Sequence, residues 1–325
     1  MKALRLENQQ LHVADVSRPE AGGEVLVRVS LSGICNTDLE LARGYAGFEG
    51  TLGHEFVGVI DEVPEARPLG SETWAIPGQR VVGEINAGCG QCYLCQRGDS
   101  RHCPNRTVLG IVGRDGAHAE FLKLPLRNLL PVPDAISDAQ AVFTEPLAAA
   151  CGILERVQIT NAARVAVIGD GKLGLLCAQV LGTTGAAVTL IGKHRNKLLI
   201  AQARGLEAML SESAAQRKHE FDLVVEASGS AGGFDLALDL LRPRGTLVLK
   251  STFHGATDID AARIVVNEIS VVGSRCGRFA PALELLKTGA VDVESLISEE
   301  FSLADAVRGM ARASEPGVMK VLLRP

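Results

Sequence analysis

Hydrophobic and polar positions along the chain fall into two regimes. In the first part, short runs rich in Val, Ile and Leu, "EVLVRVSLSGI", "EFVGVIDEV", "QRVVGEI" and "AEFLKL", are broken by Gly, Pro and Asp. That pattern predicts strands. A helical stretch follows, "SDAQAVFTEPLAAACGILERV", in which Pro146 sits where a second helix would start, since its missing N–H costs nothing there. From about Ala163 the pattern changes to alternation. "RVAVIG", "AVTLIG" and "DLVVEASG" read as strands, each followed by a helical run: "KLGLLCAQVLGTTG", "RNKLLIAQARG" and "GGFDLALDLLRPRG". "TLVLKS" and "ISVVGS" read as further strands. Repeated strand–helix units imply a parallel, doubly wound sheet. The tail from Arg278 predicts two helices and a closing strand.

Bulk properties narrow the function classes. A length of 325 residues suggests two domains or one large one, and a net charge of −5 without a long basic run argues against nucleic acid or an anionic membrane as the main partner. The N-terminus "MKALRLENQQLHV" has no apolar segment of the signal-peptide kind, and no apolar run approaches the roughly 18 residues of a membrane span. The expected location is the cytoplasm, where thiols stay reduced. The eight cysteines are therefore read as metal ligands or core residues before disulfides.

"VAVIGDGKLGLLCAQ" places Gly169-x-Gly171-x-x-Gly174 directly after an apolar strand and at the start of a helix. Gly169 makes the tight turn, Gly171 lets the backbone approach a pyrophosphate at the helix N-terminus, and Gly174 allows close helix–strand packing. An acid that would bind the ribose hydroxyls of NAD is expected at the end of the next strand. Gly192 stands there instead, followed by Lys193, His194 and Arg195. A small residue makes room and cations suit a 2′-phosphate, so NADP is preferred over NAD. A solvated basic helix start is the alternative. Lys172, Ser228 and Arg275 complete the expected cofactor set.

Two constellations carry metal-ligand chemistry. Cys89, Cys92, Cys95 and Cys103 lie within one short stretch, a spacing that suits tetrahedral zinc; iron–sulfur ligation is also compatible with it. Four protein ligands leave no position for substrate. A second set is scattered: Cys35 in "GICNTDLE", His54 and Glu55 in "LGHEFVG", and Glu145 in "FTEPLAAA". Three mixed ligands and a water are the pattern of an open, catalytic zinc.

Together these motifs resemble the zinc-dependent medium-chain dehydrogenases, the alcohol dehydrogenase superfamily, over the whole chain. The glutamate of "TEPLA" is similar to that of the sorbitol and threonine dehydrogenase branch. The resemblance implies a β-rich, GroES-like catalytic domain over residues 1–147 with a structural zinc lobe at 86–105. It further implies an α/β Rossmann-type NADP-binding domain over 148–275 and a return to the catalytic domain over 276–325. It implies two zinc ions per chain, the catalytic one on Cys35, His54 and Glu145 and the structural one on the four clustered cysteines. Glu55 matches a glutamate that approaches the metal during ligand exchange, Asp38 a carboxylate that orients the imidazole of His54, and Thr37 the hydroxyl that passes the substrate proton. Many members carry a His five residues after the zinc Cys; here that position is Glu40, either a carboxylate relay or a surface residue.

The expected activity is hydride transfer between NADP(H) and an alcohol or carbonyl small molecule. Tyr45, Phe48, Glu84 and Asn86 are expected near the metal, which favours a polyol, sugar or other secondary alcohol. The competing reading is a catalytically silent NADP-binding sensor or structural partner of the same fold. Cys151 and Cys177 are expected in the core and Cys276 in a packed loop, and Lys320 at the surface or on the cofactor phosphates. The family resemblance also implies a homodimer or homotetramer.

Overall fold

The computed structural model describes residues 1–64, 75–252 and 259–325. The chain divides into two compact units, one formed by residues 1–145 and 296–325, the other by 146–295. The boundaries expected from sequence lay at 147/148 and 275/276. In this division the units meet at 145/146 and 295/296, so residues 276–295, including the helix Phe279–Lys287, fall in the second unit.

In the second unit, six parallel strands run in the spatial order Glu207–Leu210, Ala187–Gly192, Arg164–Ile168, Phe221–Glu226, Leu241–Leu249, Ser270–Gly273. The chain starts in the middle, steps outward twice, then returns to build the other side. That order creates a switch point beside Arg164–Ile168, where open α/β sheets bind ligands at the carboxyl ends of their strands. The continuous apolar runs are explained by burial on both faces: Val165, Ala166, Val167, Leu190, Val224, Val225, Leu247 and Val248 are all withdrawn from solvent. The helix Lys172–Gly182 follows the glycine loop directly. The edge strand Glu207–Leu210 is only four residues long and has no period-2 alternation, so the sequence pattern does not mark it.

In the first unit, the main sheet runs Leu129–Pro131, Arg80–Gly83, Glu55–Glu62, Val25–Gly33, Lys320–Arg324, Ile297–Ser302, and Phe121–Leu124 also pairs with Val25–Gly33. The closing strand is thus an interior strand of this sheet, antiparallel to Val25–Gly33 with Leu322 opposite Gly33 and Leu323 opposite Ser32. A second sheet joins Gln10–Asp15, Lys2–Glu7 and Gly50–Thr51. The helical stretch foreseen at 137–157 consists of two short helices, Asp138–Ala141 and Thr144–Cys151. Pro146 lies inside the first turn of the latter, where an N–H has no intrahelical acceptor.

Candidate metal centres and dinucleotide site

The scattered set converges through the sheet. Cys35 is the N-cap residue of the helix Asn36–Ala42, and its extended backbone turns its N–H onto Asp38 Oδ2 at 2.8 Å. His54 follows Gly53, whose φ of 98° is a left-handed conformation natural to glycine, and Glu55 opens the strand Glu55–Glu62. One ligand atom each of Cys35, His54 and Glu55 lies within 4.8 Å of the others. His54 and Glu55 are buried. Glu145 is not a member of that compact trio. It stands in the first turn of its helix, close enough for His54, Glu55 and Glu84 to act on its ionisation, and burial pushes its carboxyl up to about 7.

Asp38 sits behind His54 with no exposed surface. Its Oδ1 accepts the Gly53 N–H at 3.2 Å and lies 3.5 Å from His54 Nδ1. Burial opposes its ionisation, but His54 and His118 outweigh it and hold the Asp38 carboxyl well below the usual range. Burial likewise works against charge on His54, and Asp38 followed by Cys35 keeps the imidazole above its ordinary value. With Nδ1 facing Asp38, Nε2 is the nitrogen left for a metal. The Thr37 hydroxyl is 3.9 Å from Cys35 Sγ.

Lys320 overturns its sequence reading. It is neither a surface residue nor a phosphate ligand: it is 1% exposed and paired with Glu55 Oε2, with its ammonium 5.5 Å from the centre of the Phe143 ring. Burial lowers the pKa of such a group, yet Glu55, then Cys35, hold it above the ordinary lysine value. The other Glu55 oxygen, Oε1, is buried with no hydrogen-bond partner among the described residues. An orphaned carboxylate oxygen beside a thiol and an imidazole is the chemistry that a divalent cation completes, and the mixed S/N/O donors suit zinc.

The four clustered cysteines also meet within 4.8 Å. Cys92 Sγ and Cys103 Sγ are 3.6 Å apart, too far for a disulfide and close to the roughly 3.8 Å edge of a tetrahedron with ~2.3 Å zinc–sulfur bonds. The backbone N–H of Cys89 points at Cys103 Sγ and that of Cys92 at Cys89 Sγ, each at 3.4 Å. N–H bonds from Gln91 and Cys92 pull the Cys89 thiol down to about 6, while burial pushes Cys95 up to about 11.

At the glycine loop, Gly169 has φ 119° and passes so close to the Ala227 carbonyl that no side chain fits; Gly174 packs equally tightly on the carbonyl of Gly169. Gly171 is the N-cap of the helix Lys172–Gly182 and faces open space. Lys193, His194 and Arg195 are exposed. The room expected at Gly192 is filled: a Cβ there would lie 2.5 Å from the carboxylate of Asp170. Asp170 Oδ2 accepts the N–H groups of Lys193 at 2.8 Å and His194 at 2.6 Å and lies 3.0 Å from His194 Nδ1. Burial opposes ionisation of this carboxyl, but the bonds from His194 and Lys193 lower it. So an acid does stand at the end of the second strand, carried there by the loop and not by the strand itself. The signal lay in the "GDG" of the loop. Ser228 bonds through N and Oγ to the buried Glu226, and the Arg275 carbonyl accepts from the buried Lys250 ammonium at 3.0 Å.

The remaining expectations divide. Glu40 is paired with Arg43 at 2.7 Å. Phe48 is half-buried and packs against the cluster containing Leu4, Leu6 and Ile34. Tyr45 is 44% exposed, on a turn. Asn86 is buried, donating from N and Nδ2 to Glu84 Oε1 at 3.0 and 2.6 Å. Cys151 and Cys177 are buried, and burial raises their thiols to about 12 and about 11. Cys276 is half-buried. Among the described residues, no helix is long and apolar enough to cross a membrane.

Residues 21–134 match the alcohol dehydrogenase GroES-like domain family, and residues 173–288 match the zinc-binding dehydrogenase family. The chain is similar to a sorbitol dehydrogenase of Halalkalibacterium halodurans, at 29% identity over 100% of this chain and 99% of that protein. It is also similar to the crystal structure of a Sinorhizobium meliloti protein bound to NADP, with TM-score 0.90, 30% identity and coverage of 100% and 99%. An Escherichia coli alcohol dehydrogenase in complex with NADH superimposes with TM-score 0.90, 29% identity and the same coverage.

Proposed function

Because this chain belongs to the zinc-dependent medium-chain dehydrogenase/reductase family, an oxidoreductase family, we propose that it transfers a hydride between NADP(H) and a polyol, sugar or other secondary alcohol. In this reading Cys35, His54 and Glu145 hold the reactive zinc, and Cys89, Cys92, Cys95 and Cys103 hold a second. A zinc ion at the first site, when bound, supplies Lewis acidity to the substrate oxygen.

The chain's own groups do the rest. Thr37, beside Cys35, accepts the proton of the substrate hydroxyl and hands it outward, with Glu40 as the next acceptor. Asp38 fixes the imidazole of His54. Lys320 neutralises one oxygen of Glu55 and leaves the other without a hydrogen-bond partner among the described residues. Gly169, Gly171, Lys172 and Gly174 receive the pyrophosphate at the helix N-terminus, Lys193, His194 and Arg195 meet a 2′-phosphate, and Ser228 and Arg275 line the cofactor path. Residues 1–145 with 296–325 act as the catalytic unit and 146–295 as the nucleotide unit. In this reading the protein works in the cytoplasm as a homodimer or homotetramer.

The observation that carries this reading is the Cys35–His54–Glu55 trio, half-buried at Cys35 and buried at His54 and Glu55, with its unpartnered Glu55 oxygen. The sorbitol dehydrogenase likeness supports a hydroxylated substrate. A screen of polyols, sugars and their carbonyl counterparts, followed by NADPH absorbance with and without a zinc chelator, tests it. Turnover that survives complete zinc removal, or kcat/KM higher with NAD, sinks the corresponding half of the proposal.

A further inference from the structure

His118 is fully buried, as are Ser32 and Asp38, and it lies in none of the motifs that mark the metal centre. Its Nδ1 is 2.9 Å from Ser32 Oγ and its Nε2 is 3.6 Å from Asp38 Oδ2. Asp38 is therefore flanked by two imidazoles at nearly equal range, His54 on Oδ1 and His118 on Oδ2. The two facing nitrogens, His54 Nδ1 and His118 Nε2, are both buried without a hydrogen-bond partner among the described residues. The His118 ring rests directly on Gly53: a Cβ at Gly53 would lie 2.6 Å from its Cγ and Nδ1. Thus the glycine preceding His54 makes room for the second imidazole.

A buried imidazole is costly unless both nitrogens are satisfied. An ionised Asp38 only accepts, so Nε2 must carry the proton, Nδ1 must accept, and the Ser32 hydroxyl must donate. Each carboxylate oxygen accepts one backbone N–H, from Gly53 or Cys35, and faces one imidazole nitrogen at 3.5 or 3.6 Å. Such a carboxylate cannot rotate about its Cβ–Cγ bond without breaking both backbone bonds and turning its oxygens away from the two imidazoles.

We propose that His118 is a positioning residue of the metal centre, which fixes the Asp38 carboxylate and through it the imidazole plane of His54. This rests on the reading of Cys35 and His54 as metal ligands. Its consequence lies in metal retention: loss of an outer partner of a ligating histidine typically costs 10–100-fold in affinity.

The test uses the purified zinc-loaded protein. Zinc release to an excess of chelator is followed in wild type, His118→Phe and His118→Gln, alongside ¹⁵N-edited spectra of the wild-type imidazoles. His118→Phe should speed release from one of two sites about 10–100-fold and leave the other, slower phase unchanged. His118→Gln, which keeps an N–H donor, should restore release to within a few-fold. The wild-type spectrum should show His118 as the neutral Nε2–H tautomer, a readout that holds even where His118→Phe fails to fold. Wild-type release in His118→Phe, or an Nδ1–H tautomer in wild type, overturns the proposal. Metal content of Cys35→Ser separates the layers: an unchanged count overturns the ligand reading as well, whereas a drop of one leaves that reading standing.

Discussion

Lys320 and Glu55 form an ion pair with 1% and 0% of their side-chain surface exposed, joining two strands separated by 265 positions in sequence. Removing one member of a buried pair strands the other charge, which costs about 3–5 kcal/mol. Lys320→Met should therefore lower the unfolding free energy of metal-stripped protein by about that amount in urea titration. The double variant with Glu55→Gln should recover most of the loss. A single variant as stable as wild type would show that the pair holds nothing together.

Asp170 places negative charge where a 2′-phosphate is proposed to bind. Asp170→Asn keeps the shape and removes the charge, so the affinity ratio of NADPH to NADH should rise about tenfold, or ~1.4 kcal/mol. Cofactor fluorescence titration reads this without turnover. A ratio unchanged or shifted toward NADH would remove Asp170 from cofactor choice.

The two cysteine sets should fail differently. Cys95→Ser should lower zinc content by one per chain and depress Tm first, with activity lost in proportion to folded protein. Cys35→Ser should also lose one zinc, yet keep NADPH affinity within about twofold while hydride transfer disappears. A fully folded Cys95→Ser protein without any hydride transfer would contradict this division.

Glu145 gives a pH dependence with a defined sign. Its folded pKa, about 7, lies above the ordinary 4.5, so the folded metal-free protein holds this proton after the unfolded chain has released it. Stability attributable to this group is then present below about pH 4.5 and lost as pH rises through about 7. Urea titrations of chelator-stripped protein from pH 4.5 to 7.5 should show this decline, and Glu145→Gln should flatten it. Zinc affinity should rise over the same interval, because binding displaces the proton.

Legibility tracked distance along the chain. The four-cysteine lobe and the glycine loop are local, so spacing alone carries their geometry. Asp170 was visible as a residue, but its placement against Gly192 depends on the parallel pairing of Arg164–Ile168 with Ala187–Gly192. His118 meets Ser32 across 86 positions and Lys320 meets Glu55 across 265, with no motif tying either pair. A lysine inside the apolar run "VMKVLLR" was nonetheless a clue, since an interior strand buries both faces and a cation there needs a partner.

The strand Lys320–Arg324 enters the middle of the first unit's sheet after the whole second unit has been threaded between. During synthesis, Cys35 and His54 leave the ribosome long before the cation that balances Glu55. The half-made catalytic unit carries a thiol, an imidazole and a carboxylate with an open sheet edge above them. Birth order thus delays closure of this site until residues 146–295 have already been made, so a truncated translation product should bind metal loosely and be an early target for chaperones and proteases.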